Sequence, residues 1–317
     1  MAPAHNDRDL WPALPYDDWR DTCATLHLWT QIVGKIRLSL TPWLNHSWHV
    51  ALYVTARGLT TSPMAVGGGL LQIDFDFVDH MLRLEASNGR RETPLEAQSV
   101  AAFHSRLFVK LAELGVSVRI DERPNEVADP IAFSADRVHC AYDPHSAHRF
   151  WRALAQADRV LKLFRTGFIG KASPVHFFWG SFDLAATRFS GRRAPRHPGG
   201  VPHLPDAVVR EAYSHEVSSA GFWPGGAGVD FPAFYSYAYP APAGFASAAI
   251  KPPGAFFHEA LQEFILPYDI VRKADDPDAT LLAFLQSAYA AAANAAGWDR
   301  AALERPLGQI GVPPASA

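Results

Sequence analysis

Two segments of the chain carry the strongest boundary signals for α-helices, and they fix the helical part of any fold. Residues 143–167 and 276–297 both begin with Asp followed by Pro, and both end with Gly. An acidic N-cap accepts hydrogen bonds from free backbone N–H groups, and proline fits the first turn, where its missing N–H is not needed. Glycine is favoured just past a helix C-terminus. The pattern therefore predicts two long helices at these positions.

Two further helices are predicted from the spacing of apolar residues in the first part of the chain. Between Asp17 and Pro42, apolar side chains recur every three or four positions, which is the period of one helix face. The same spacing runs from Ser99 to Gly115, with a hydroxyl residue at the start and a glycine at the end. Together with the two Asp-Pro segments, this gives about four main α-helices.

The segments between these helices carry the two-residue period of β-strands. Residues 48–57 alternate apolar and polar side chains, and so does the first part of 70–86. A run of three glycines at 67–69 separates them and is typical of a turn. Shorter strands are predicted at 116–120, 174–189, 233–239 and 260–270. We therefore expect an α+β protein in which an antiparallel or mixed β-sheet is packed against the four helices.

The composition favours a globular protein of the cytoplasm. Hydrophobic residues make up 48% and charged residues 19% of the chain, and the formal net charge is −3. That charge gives no drive toward nucleic acid or an anionic membrane, so neither is expected as a partner. The first residues lack a cationic segment followed by an apolar run, and no apolar run is long enough to cross a bilayer. Because Cys23 and Cys140 are the only cysteines, a reduced, cytoplasmic setting is expected.

We expect residues 1–317 to form a single domain with a C-terminal tail at 301–317, because no repeat or low-complexity linker divides the chain. The alternative is two tightly packed lobes, 1–140 and 141–300. Residues 190–232 are rich in Gly, Pro and Arg but also carry many aromatic residues. We therefore predict that this segment is a long functional loop and not a solvated tether.

The strongest candidate site is the stretch YSHEVSSAGFWPGG at 213–226, which lacks the period of a regular helix or strand. His215 offers an imidazole of near-neutral pKa, and Glu216 is predicted to be its partner or a second acid–base group. The aromatic residues of this stretch, which could wall a ligand from water, are Tyr213, Phe222 and Trp223. The competing interpretation is that His215 makes one structural hydrogen bond while the aromatic residues cap the core.

A second candidate is VHFFWGSFDLAATRFSGRR at 175–193, which reads as a central strand of high aromatic content. His176 and Asp183 are predicted to line the other wall of the pocket, together with Trp179. Because they are seven positions apart, a regular strand places His176 and Asp183 on opposite faces, and only a bulge near Gly180 would bring them together. The alternative is a core strand with one satisfied histidine.

Arginines near glycines form the third candidate. Arg188 or Arg192 could fork onto a carboxylate or phosphate of a ligand, whereas a solvated loop would explain the same residues. The chain lacks the glycine-lysine pattern of a phosphate-binding loop, so it carries no nucleotide-cofactor motif.

The sequence identifies no cofactor. It offers candidate ligands for a divalent metal. The segments that could supply nitrogen and oxygen ligands lie far apart in the chain, and their spacing matches no zincin or zinc ribbon. The candidate ligands are His49, His176, His215 and Glu216.

Four phrases of the chain resemble an uncharacterised bacterial family that is known only as a domain of unknown function. They are YDDWRDTCATLHLWTQIVGKIRL, DPHSAHRFWRALAQADRVL, VHFFWGSFDLAATRFSGRRAP and EAYSHEVSSAGFWPGG. The resemblance runs from about Leu10 to Trp298 and implies one family unit. It implies no reaction and no catalytic residue.

We therefore predict a soluble enzyme that acts on a small-molecule ligand in an aromatic-lined pocket, with acid–base or metal-ligand chemistry of His and Glu. The alternative is a small-molecule-binding or structural module without catalysis. The two hypotheses differ in the expected behaviour of His215, whose replacement abolishes activity under the first and only shifts stability under the second. The sequence assigns no oligomeric state.

Overall fold

In a computed structural model, which describes residues 10–226 and 228–313, the chain forms two antiparallel β-sheets with α-helices packed against them. The first sheet has the strand order β1-β2-β4-β5-β6, with β3 paired to β4. Its strands are β1 (Tyr53–Val54), β2 (Gly58–Thr60), β3 (Met64–Val66), β4 (Gly69–Asp76), β5 (Met81–Ala86) and β6 (Gly89–Pro94).

The second sheet lies in the C-terminal half and has the order β11-β12-β10-β9-β8-β7, with every pairing antiparallel. Its strands are β7 (His176–Phe178), β8 (Asp183–Arg193), β9 (His215–Trp223), β10 (Ala233–Tyr239), β11 (Phe256–His258) and β12 (Glu263–Pro267). The long strands β8, β9 and β10 lie side by side at its centre, so they present wide faces on both sides.

Four long helices appear where the sequence predicts them, which confirms the α+β class. The described residues form seven α-helices, which are α1 (Tyr16–Leu40), α2 (Val100–Glu113), α3 (Pro144–Thr166), α4 (Asp206–Ala212), α5 (Tyr268–Arg272), α6 (Pro277–Ala295) and α7 (Arg300–Leu303). Of these, α1, α2, α3 and α6 are the long ones. Asp143 and Asp276 cap α3 and α6 through their side chains, as expected. Among the described residues, no helix has the length and apolarity that a membrane span requires.

Helix α1 is buried along most of its length and contacts elements from both halves of the chain. Gly34 in its middle lets the indole of Trp179 lie directly on the helix backbone, because a Cβ at Gly34 would overlap that ring. One continuous set of buried apolar residues contacts both sheets. The hydroxyl of Tyr268 donates a hydrogen bond to the carbonyl of Pro12 at 2.9 Å, which joins the segment before α1 to helix α5. The single domain stays a prediction, and this shared core supports it.

Several predictions about local structure are wrong. The strand expected at 48–57 covers only Tyr53–Val54, and the strand predicted at 174–189 is divided into β7 and β8. Residues 116–120 belong to no strand, and their apolar alternation reflects the packing of Val116, Val118 and Ile120 against the core. The segment 190–232 is not a long loop, since it contains the end of β8, all of α4 and all of β9.

Candidate functional site

A cavity of about 550 Å³ covers one face of the second sheet. Its floor is made by alternate residues of the three central strands, because alternate side chains point to the same face. The floor includes Asp183, Ala185 and Thr187 of β8, Ser219 of β9, and Tyr235 and Tyr237 of β10. Residues of α1 and of the segments 43–50, 121–126, 178–181 and 201–213 form the walls. The volume lies within the range of small-molecule sites.

Small residues on the floor leave the room for this cavity. Ala185, Thr187 and Ser219 occupy positions where bulkier side chains would fill the space above the sheet. Gly221 has a more specific role, since a Cβ there would overlap both the Leu184 carbonyl and the hydroxyl of Tyr235. Tyr235 can therefore reach across β9 toward β8 only because residue 221 lacks a side chain.

Asp183 is the polar centre of one end of the cavity. Its side chain accepts hydrogen bonds from the hydroxyls of Tyr235 and Ser181. Only 6% of its surface is exposed. Burial raises the pKa of the Asp183 carboxyl, while the two hydroxyls act in the opposite direction. These two hydrogen bonds hold the carboxyl group in one orientation at the floor of the cavity.

Glu126 is a second carboxyl at the same end. It lines the cavity, and its side chain packs against Gly180 so closely that a Cβ there would overlap the carboxyl oxygen. The Glu126 side chain is exposed to the cavity, and loss of bulk water around it raises its pKa to about 7, with the negative charge of Asp183 adding to the effect. Glu263, on the same face of the sheet, has its pKa raised to about 8 by the same two causes. Near neutral pH, these carboxyls can therefore exchange protons.

Tyrosine hydroxyls extend the polar floor away from Asp183. Tyr213 donates a hydrogen bond to the hydroxyl of Tyr237 at 3.0 Å. Burial raises the pKa of Tyr213 to about 12 and holds the pKa of Tyr235 and Tyr237 well above the usual value. All three hydroxyls are therefore protonated at neutral pH and can act as hydrogen-bond donors.

A basic pair lies at the other end of the floor. Lys171 donates to Nε2 of His46 at 2.6 Å, and Nδ1 of His46 contacts the Ala212 carbonyl at 3.1 Å. Since Nε2 accepts from the ammonium group, the ring proton is assigned to Nδ1. Burial lowers the pKa of both His46 and Lys171. The ring of His46 lies 4.7 Å from that of Phe189, at the far end of β8 from Asp183.

Unusual backbone conformations are concentrated around the cavity. Non-glycine residues with left-handed φ angles are uncommon, because the Cβ crowds the backbone there. Four such residues line the cavity, namely His46, Ser47, Glu126 and His203. Phe182, which immediately precedes Asp183, is another. Strained residues of this kind cluster at functional sites, and here they lie at both ends of the cavity.

The predicted partners His215 and Glu216 point to opposite faces of the sheet, because both lie in strand β9. Glu216 accepts hydrogen bonds from Ser190 at 2.8 Å and from Arg192 at 2.7 Å on the helix-covered face. His215 shares the face of the cavity, but Asp183 lies beside Trp223 at the other end of β9. Eight residues of strand separate the two positions, which is about 26 Å.

His176 and Asp183 belong to a hairpin and not to one strand. Residues 179–182 form the turn, so His176 lies opposite Ala185 and shares a face with Asp183 without a hydrogen bond between them. The hairpin, and not a bulge near Gly180, brings the two residues to one face, and β8 has its irregularity between Phe189 and Arg193. The His176 ring is fully buried beside Tyr53, and burial, assisted by Arg165 and Arg37, lowers its pKa to about 4.

The remaining predicted ligand-binding residues divide between the two faces. Trp179 and Tyr213 line the cavity. Trp223 packs beside it against a small cluster that contains Tyr235. Phe222 and Arg188 lie on the helix-covered face, where the Arg188 guanidinium carbon is 3.5 Å from the Phe164 ring centroid.

The candidate metal ligands do not converge. In the part of the chain that the structure describes, no three His, Cys, Asp or Glu side chains are placed to hold a metal ion. His49 accepts a hydrogen bond at Nδ1 from the backbone of Leu44, and His176, His215 and Glu216 lie in the separate surroundings described above.

Sequence reasoning missed Glu126, Tyr235 and Tyr237. The alternation of AFYSYAY at 233–239 could have placed both tyrosines on one face of a strand. Glu126 lies in the polar segment DERPNE, where nothing distinguishes it from an exposed loop residue.

The fold and the cavity define an α+β protein with a site of ligand size on one face of an antiparallel sheet. The chain belongs to DUF5996, a family of unknown function whose model matches residues 11–305. The predicted family resemblance over nearly the whole chain is thereby confirmed. No match was found among curated proteins or solved structures.

Proposed function

We propose that the protein is an enzyme that binds a small organic molecule in this cavity and performs general acid–base catalysis on it. The observation that carries the proposal is the pair of carboxyls, Asp183 and Glu126, at one end of a cavity of ligand size. Active sites commonly combine a concave apolar pocket with a few convergent polar groups whose pKa values are shifted.

Glu126 is the proposed proton carrier. Its pKa of about 7 lets it give a proton to a substrate atom or take one from it at physiological pH. Asp183, held by two hydroxyls, is proposed to orient the substrate and to stabilise positive charge that develops on it. The aromatic walls would exclude water from the reacting groups.

A second candidate function is binding without catalysis. The observation that favours it is the fixation of Asp183 by Tyr235 and Ser181, since a fixed carboxylate is also what a carrier or sensor needs to orient a ligand. The two functions share a site and differ in whether the ligand is changed.

The test is an NMR-monitored incubation of the protein with a panel of small metabolites, followed by kinetics on any compound that is converted. We expect Glu126→Gln to lower the rate by about 100-fold or more, since general acid–base catalysis contributes at least that much. Glu216→Gln is the matched control, because Glu216 lies on the other face of the sheet. His215→Gln tests the competing site.

Each result has a defined meaning. Conversion that is lost in Glu126→Gln but retained in both controls supports the proposal. A ligand that binds wild type and is never converted assigns the protein to the second function. Conversion that survives in Glu126→Gln and Asp183→Asn, or is lost only in His215→Gln, overturns the assignment of the carboxyl pair.

A further inference from the structure

Among the described residues, no lysine or arginine forms an ion pair with the side chains at the carboxyl end of the cavity, which are Asp183, Glu126 and Glu263. The Asp183 side chain accepts hydrogen bonds from Tyr235 and Ser181, and no described residue donates one to the Glu126 side chain. Yet Asp183 lies close enough that its charge raises the pKa of both glutamates. Clustered carboxyls repel one another unless a cation or a shared proton lies between them.

Two histidines line the cavity, namely His46, which is hydrogen-bonded to Lys171, and His203, which follows Pro202 beside Glu126. The two lysines nearest the cavity are engaged elsewhere. Lys35 donates to the carbonyl of Arg123 at 2.6 Å and lies 3.9 Å from Asp121. Lys171 is bonded to His46 at the Phe189 end, six strand residues or about 20 Å from Asp183. Neither lysine therefore compensates the carboxyl end.

The same end carries aromatic rings that suit a cation with an apolar body. Tyr235 and Tyr237 lie 6.2 Å apart with nearly parallel rings, and Tyr213 lies 6.2 Å from Tyr237. Trp179 adds an indole to the wall. Aromatic faces attract ammonium groups, and the attraction grows when water is excluded.

Free hydrogen-bond acceptors complete the site. A carboxylate can accept about four hydrogen bonds, and among the described residues the Asp183 side chain accepts from two hydroxyls and from its own backbone N–H. Glu126 is exposed to the cavity, and none of the described residues donates a hydrogen bond to its side chain. An ammonium group has three donors and no acceptor, so it matches these groups.

We infer that the cavity takes a small organic amine, bound as an ammonium ion by Asp183 and Glu126, with its apolar body along the aromatic wall. This inference rests on the proposed function and names its ligand class. A neutral alcohol would satisfy the acceptors without supplying charge. An anion would be repelled by the carboxyls.

Two matched series of probes test the inference. They are 2-phenylethylamine, 2-phenylethanol and 3-phenylpropionate, and hexylamine, hexanol and hexanoate, measured by calorimetry and by saturation-transfer NMR. We expect the amine of at least one series to bind about tenfold tighter than its alcohol, since hydrogen bonds to charged groups differ by that much from neutral ones. The carboxylates should bind most weakly.

Variants show whether the charge acts at this site. Asp183→Asn and Glu126→Gln keep the side-chain shape and should weaken amine binding about tenfold while leaving the alcohols unchanged. Glu216→Gln should leave the affinity for amines and for alcohols unchanged. Amine affinity should also rise from pH 6 to pH 8, because Glu126 loses its proton while a primary amine keeps its own. Where Asp183→Asn does not fold, Glu126→Gln and the pH series decide alone.

The outcomes separate the inference from the proposed function. If alcohols or carboxylates bind at the cavity as tightly as amines, the inference is overturned while the cavity remains a ligand site. If amines bind equally well to wild type and to both variants, it is also overturned. If no probe of any charge binds and no metabolite is converted, the inference and the proposed function fail together.

Discussion

The two faces of the second sheet are built by the same three strands but from different kinds of residue. On the helix-covered face, large side chains such as Phe222 and Phe234 pack against α3 and α6. On the cavity face, Ala185, Thr187 and Ser219 leave space, and polar groups face it. Because successive strand residues alternate between faces, each strand contributes to stability and to the site at the same time.

This difference teaches that a polar residue in a strand must be assigned to a face before it is assigned a role. Arg188 and Thr187 are neighbours in β8, yet Arg188 packs between aromatic rings of the helices while Thr187 borders the cavity. His215 and Glu216 are neighbours in β9 and are separated in the same way. We expect substitutions on the helix-covered face to change the free energy of unfolding and those on the cavity face to change binding.

The largest expected loss of stability follows the replacement of Phe222. Its side chain is fully buried and lies 5.2 Å from the ring of Phe234 and 5.5 Å from that of Tyr268. Phe222→Ala should lower the free energy of unfolding by about 3–5 kcal/mol, because it removes a large ring and leaves a cavity. Urea unfolding measures this. The control Ser219→Ala should cost about 1 kcal/mol or less, and an equal loss in both would contradict the distinction between the faces.

The second-largest loss of stability is expected for Arg188→Ala, because this charged side chain is buried. It is 4% exposed, lies 4.3 Å from the Tyr289 ring centroid, and donates to the Phe164 carbonyl. Arg188→Ala should cost about 2–4 kcal/mol through lost packing, a lost cation–π contact and an unpaired carbonyl. The exposed Arg193 on the same strand is the control, and Arg193→Ala should stay within about 0.5 kcal/mol. A ligand-affinity change without a stability change in Arg188→Ala would return this residue to the site.

On the cavity face, Glu126 should give the protein a distinctive pH dependence. Its pKa is raised from 4.5 to about 7 on folding, so the folded state binds more protons than the unfolded state between these values. The contribution of Glu126 to stability is therefore greatest at low pH and declines as the pH rises through this window. The melting temperature of wild type minus that of Glu126→Gln should fall from pH 5 to pH 8. A constant or rising difference would show that the Glu126 carboxyl has no raised pKa.

Arg192 should have a smaller effect, because half of its side chain is exposed. It donates to Glu216 and to the carbonyls of Ala296 and Gly297 just after α6. Arg192→Ala should cost about 0.5–1 kcal/mol, as expected for a surface ion pair at a helix end. Hydrogen exchange should show faster opening of the last turn of α6. Unchanged exchange in that turn would show that Arg192 does not stabilise the end of α6.

The smallest effect is expected for His215→Gln. The side chain is half-buried and hydrogen-bonded to Ser214, at the end of the sheet far from Asp183. We expect a stability change within about 0.5 kcal/mol and unchanged ligand affinity. Calorimetry with any cavity ligand measures the second quantity. A complete loss of activity here would instead favour the original assignment of His215.

Much of the fold could be predicted from the sequence because its signals are local. Asp143 and Asp276 mark helix starts through hydrogen bonds to residues only two or three positions away. Strand β9 escaped prediction because both of its faces are largely buried, which removes the apolar–polar alternation that reveals a half-exposed strand. The strand pattern at 116–120 misled for the opposite reason, since one-sided burial occurs there without a partner strand.

The site could be predicted only in part, because its residues converge from distant segments. Asp183, Trp179 and Tyr213 were identified as unusual within their own stretches, and all three line the cavity. Glu126 lies 57 positions before Asp183 in sequence, and only the tertiary fold brings it to Gly180. The small residues of the cavity floor could not be predicted either, because an alanine or serine in a strand does not indicate whether a cavity lies next to it.

The hydrogen bond from Tyr268 to Pro12 has a consequence for how the chain acquires its structure. The two residues are 256 positions apart, and helix α1 follows directly after Pro12. During synthesis at ordinary rates, on the order of 10 to 50 s pass between the appearance of these residues. For that time Trp11 and Pro12, just before α1, lack their contacts with Tyr268. We therefore expect nascent chains to need chaperone protection, and refolding in vitro to be slow because native contacts close such long loops.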